Sequence, residues 1–191
     1  MSTRKLFVSL FLLVVGLMLF AQVATAQQRD HLTPQEVDLV KEAQMLDKRI
    51  DVFIKAADRR LLVLKGGPAA TNPANAKQLK KDSEKWGELP TGSRAELVSD
   101  IARILDEAIT NIDDVSSRDE RNPLIAKSLR KLGSAVNSIM EQLKPLSTEA
   151  KSDAEVASFE MLNEDAQSIL EALAKLPPEV EKKAKAKNNN K

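Results

Sequence analysis

The residues predict an all-α protein: an antiparallel bundle of four helices with a long loop after the first. Three observations predict it. Apolar residues recur at spacings of three and four in four separate stretches, which sets them on one face of a helix. Each stretch follows a helix-start signal and ends near Gly, Pro or a polar turn. Gly is scarce, with 6 residues, Tyr is absent and aromatic residues make up 3% of the chain. Sheets draw on aromatic and β-branched residues, so this composition suits helices packed through Leu, Ile, Val and Ala.

Thr33-Pro34-Gln35-Glu36 is a capping box with proline at the first helical position. Leu39, Ala43, Leu46, Ile50, Phe53, Ala57, Leu61 and Leu64 form the stripe behind it, and Gly66-Gly67-Pro68 stops it. About 31 residues rising 1.5 Å each give a rod of roughly 46 Å, which cannot bury its stripe alone. Leu61 to Leu64 are four apolar residues in a row, which must cover more than one face. Residues 66–92 then read as an irregular loop containing Pro68, Pro73 and Pro90, with a short helix from Asn72-Pro73 toward Trp86. A connection of that length is unusual inside a compact domain.

Ser93-Arg94-Ala95-Glu96 is a second capping box, followed by Leu97, Ile101, Ile104, Ala108, Ile112 and Val115. That helix should end between Ser116 and Asn122. Asn122-Pro123 opens the third, with Ile125, Leu129, Leu132, Val136, Ile139 and Leu143 as its stripe and Pro145 as its stop. Ser152-Asp153-Ala154-Glu155 caps the fourth, whose stripe is Phe159, Leu162, Ala166, Ile169, Leu173 and Leu176, before Pro177-Pro178. Short links favour antiparallel neighbours, and such stripes favour coiled-coil-like packing at about 20°.

The ends address the compartment. Arg4 and Lys5 precede the apolar run from Leu6 to Phe20, and Ala24-Thr25-Ala26 follows. Basic, apolar and small-residue segments in this order make a secretory signal peptide. The run is short for a membrane span, which needs about 20 residues. The expectation is cleavage after Ala26, a bundle domain over 27–176 and a periplasmic or secreted product that meets the membrane only through its signal. Residues 177–191 turn polar and Lys-rich, reading as a disordered tail. Losing Arg4 and Lys5, two cations, takes the formal net charge from +1 to −1. A neutral chain lacks the basic surface that duplex nucleic acid requires, so no nucleic-acid partner is expected.

Chemistry is thinly represented. The absence of Cys excludes thiol chemistry, iron–sulfur clusters and covalent haem. His31 is the sole histidine and lies outside every stripe. Met45, Met140 and Met161 sit at helical positions where Met usually fills a core. No Glu-x-x-His motif or Gly-rich phosphate loop occurs, and the Ala126-Lys127-Ser128 stretch lacks a plausible base. The stripes are apolar throughout, with no inward carboxylate. Asp113, Asp114, Asp119 and Glu120 form the densest acidic patch, without calcium-loop spacing. Neither a cofactor nor a metal site is expected. Trp86 and Leu89 have two readings, a plug on one end of the bundle or an exposed partner contact.

Leu32-Thr33-Pro34-Gln35-Glu36 resembles the Leu-Thr-x-x-Gln signature of the Spy/CpxP group of periplasmic stress proteins. It departs at the last position, where Glu36 stands in place of Gln. The resemblance covers five residues and implies an exported, cofactor-free helical protein that shields unfolded clients. The expected role is therefore non-catalytic: an exported binding or structural envelope protein acting through a helix surface or its loop. Its alternatives are a chaperone of that type and a carrier of a divalent cation or small ligand.

Overall fold

The computed structural model describes residues 29–67 and 81–177. The expected signal segment, the start of the short loop helix and the Lys-rich tail beyond Pro177 lie outside them. All regular structure among the described residues is helical: α1 (Pro34–Glu42), α2 (Leu46–Leu64), α3 (Arg94–Arg118), α4 (Pro123–Thr148) and α5 (Asp153–Ala174). A helical segment at 81–86 precedes α3. None of these helices is long and apolar enough to cross a membrane. The chain divides at Asp30, and the bundle belongs to the unit beginning at His31.

The expected count of four helices is corrected by a break in the first. Ala43 leaves the helix at ψ 83 and Met45 restarts it as an extended N-cap. The reason is a buried ion pair. Arg60 Nη1 donates to Glu36 Oε1 at 2.6 Å. On one continuous helix these residues would be about 36 Å apart. The chain instead folds α1 back along α2. Arg49 holds the turn, donating from Nε to the freed Ala43 carbonyl and from Nη1 to Asn111.

Pro145 does not stop α4, which runs three residues further. Proline removes one late backbone bond, but Leu146 packs on the core. The Ser147 and Thr148 hydroxyls both donate to the Lys144 carbonyl. The other caps form. Ser93 and Glu96 make a reciprocal box, and Asn122 accepts from the Leu124 amide. Ser152 caps α5, while the Glu155 carboxylate turns to the Lys151 amide and is held below the usual carboxylate range by it.

Consecutive helices of the bundle run antiparallel, but not every neighbour does. Lys127 meets Asp47 near both starts, and Lys65 meets Gln142 further along, so α2 and α4 are parallel. Arg94 meets Glu155 at the starts of α3 and α5, which are parallel too. Packing follows the ring α2, α3, α5, α4, with α3 and α4 also touching across the centre. Ile50, Phe53, Ile104, Leu132, Val136 and Leu162 fill that centre. Gly133 lets α4 approach α5, since a Cβ there would lie 2.5 Å from Leu173 Cδ2.

Candidate functional site

Charged side chains are buried where the stripes suggested none. Glu36, Asp47, Arg59, Arg60 and Asp100 are all inside, off the apolar stripes, which corrects the expectation of no inward carboxylate. Glu36 Oε2 accepts from the Thr33 amide and Oε1 lies 3.1 Å from Arg59 Nε as well as on Arg60. Arg60 Nε lies 3.8 Å from Asp100, and its Nη2 donates to the His31 carbonyl. The His31 ring meets Glu107 at 2.8 Å. This cluster pins residues 31–36 to α2 and α3. Glu36, Arg59, Arg60 and Asp100 are closed to solvent, while the His31–Glu107 contact is partly exposed.

The Arg59 guanidinium lies 5.8 Å from the Trp86 ring centre and donates to the carbonyls of Gly87 and Glu88. Burial draws its pKa below the ordinary arginine value. Trp86 is 9% exposed, so this corner folds over α2. Leu89 lines a pocket of about 190 Å³ with Leu62, Arg59 and Gly87, across which Lys55 bonds Asp82 at 2.8 Å. The two loop residues singled out by sequence are thus neighbours here, Trp86 inward and Leu89 at a half-buried wall.

A groove of about 650 Å³ lies between α2 and α4. Asp47, Asp51 and Asp58 recur on one face of α2, at helical spacings of four and seven. Lys127, Lys131, Ser134 and Ser138 recur likewise on α4. Lys127 Nζ donates to Asp47 Oδ2 at 2.7 Å, and Lys131 Nζ donates to Asp51 Oδ1 at 2.7 Å. The parallel course of the helices brings the two ladders into register. The Lys127 hydrogen bond holds the buried Asp47 carboxyl below its usual range, against the opposing effect of burial. Asp47 in turn raises Lys127, which stays 57% exposed at the rim. Asp58, on the ridge shared with the smaller pocket, is pushed up by desolvation despite Lys55. Arg130 reaches back to the Pro177 carbonyl at 2.7 Å. Between the ladders the floor is built from small and apolar groups, Ile54, Ala126, Ala135 and Pro123.

The two ladders pair with each other, so a polar or charged partner is held there by sharing these rim ion pairs over a closely approachable floor. Sequence reasoning missed it. The spacing of the acids and of the bases was legible, but not that the two faces meet.

Other singled-out residues are dispersed. Asp113 and Asp114 stay within α3, which continues to Arg118, whose Nε donates to the Asp114 carbonyl. Asp119 and Glu120 are exposed in the following turn. Met140 packs on the core, whereas Met45 and Met161 are exposed. Among the described residues no group of three or more His, Asp or Glu could hold a metal ion. Leu32 and Thr33, which carry the stress-protein resemblance, and Glu36, where it departs, are used by the fold itself. No protein-family model, curated protein or solved structure matches this chain.

Proposed function

We propose that this chain is an exported, non-catalytic interaction protein whose contact surface is the α2–α4 groove. The observation that carries the reading is the pair of matched charge ladders flanking a small-residue floor on two rigid helices. A surface of this kind gives orientation and specificity to an encounter. Export is supported by the order of basic, apolar and small residues before Gln27. The test is a photo-crosslinking residue at Ser134 in the groove, compared in the native host with one at the exposed Ser168 on α5. Adducts at 134 and not at 168 are expected. Equal labelling at both, or none at either, would remove the groove from the account.

A second reading, carriage of a small amphipathic ligand, is favoured by the pocket beside Leu62 and Leu89 with Arg59 and Lys55 at its wall. An anilinonaphthalene sulfonate dye should quench Trp86 and compete with such a ligand. Unchanged Trp86 emission at saturating dye would count against it.

A further inference from the structure

We propose that the α2–α4 face is the contact between two copies of this chain, related by a two-fold axis parallel to the helices. The proposal rests on the reading of the groove as a contact surface and names its occupant.

Of the residues lining the groove, the acids Asp51 and Asp58 stand on α2 and the bases Lys127, Arg130 and Lys131 on α4, with Lys48 of α2 also 3.9 Å from Asp51. The helices are parallel and in register, Asp47 with Lys127 and Asp51 with Lys131. A two-fold axis along the helices preserves level and exchanges the edges. It lays α2 of one copy over α4 of the other, with Asp51 of each level with Lys127, Arg130 and Lys131 of its mate. Asp58 comes level with the Ser134 and Ser138 hydroxyls. A two-fold axis across the helices would instead set acid over acid and base over base. The face is therefore self-complementary in one orientation, which is what a closed isologous dimer requires.

Helix α5 by itself offers no such pairing. Helix α5 carries Asp153, Glu155, Glu160, Glu164, Asp165 and Glu171 without a single Lys or Arg. Two copies meeting through α5 alone would set acid against acid. The chain as a whole, at a formal net charge of +1 or near it, presents little general repulsion to a second copy.

Two helices about 30 Å long and about 10 Å apart present roughly 600 Å² per copy. Standard stable interfaces use about 800 Å² per partner, so the dimer should be concentration-dependent. Its polar rim makes it salt-sensitive.

The experiment is sedimentation velocity on residues 27–191 from micromolar to submillimolar, at low salt and at about 0.5 M NaCl. A monomer–dimer equilibrium weakened at least tenfold by salt is expected. Arg130→Glu and Asp51→Arg should each weaken the dimer at least tenfold while circular dichroism stays helical. Mixing the two variants should restore it, because one symmetric contact then joins the two reversed charges and the other keeps Asp51 with Arg130. Since the chain lacks Cys, spin labels at Ala126→Cys and Ser138→Cys report orientation. The parallel two-fold gives one similar distance at both positions. A monomer throughout, a dimer indifferent to the reversals, or unlike distances at the two labels would overturn the proposal. A groove adduct at 134 to some other protein, with this chain monomeric, would overturn self-pairing and leave the groove reading standing.

Discussion

Glu36 closes the α1 capping box with one oxygen and meets two guanidiniums with the other. Breaking a buried pair costs more than never having had one, because the remaining charge stays in a dry site. Arg60→Met should cost roughly 3–5 kcal/mol in urea unfolding, and adding Glu36→Gln should recover part of it. Asp165 shows the opposite case. Desolvation, with Asp106 and Glu164 nearby, pushes its carboxyl up to about 6. A raised acid binds its proton more tightly folded than unfolded, so it erodes stability as pH rises through that range. Asp165→Asn should raise Tm at pH 7.5, and the difference should vanish near pH 4. Asp47 has the reverse sign, its stabilising contribution being present above the ordinary Asp range and lost as pH falls through its lowered value. Trp86, the sole tryptophan, should emit well to the blue of free tryptophan, and an unshifted maximum would contradict its burial against Arg59.

Helix starts were the most legible elements. Thr33, Ser93, Asn122 and Ser152 each accept a backbone amide at an N-cap, because capping needs only residues two or three positions apart. Ends and breaks were less legible. The turn at residues 43–45 depends on Arg60, far along the chain, and α4 passes Pro145 because Leu146 has a core to reach. Nothing within a local window encodes either fact. Because α1 is held chiefly by the Glu36 cluster, Glu36→Gln should speed amide exchange in α1 at least tenfold and leave α3 protected. Uniform acceleration across all helices would show that α1 is no separate cooperative unit.

Across the whole molecule, one apolar centre joins α2, α3, α4 and α5. With no Cys to cross-link it, that centre carries the stability. Leu132→Ala, fully buried on α4, should cost roughly 2–5 kcal/mol and lower a single cooperative transition. The all-helical class, the core faces and four of the helix starts followed from the sequence alone, since helical periodicity and caps are local and repeat every three or four residues. The ring order, the parallel pairing of α2 with α4, the buried Glu36–Arg60 pair and the groove were decided only in the tertiary structure. Each joins residues that are between 24 and about 80 positions apart. An Asp ladder on one helix and a Lys ladder on another read from sequence as two solvated faces. Packing four helices around one core is what sets those faces side by side, and no periodicity within either helix carries that information.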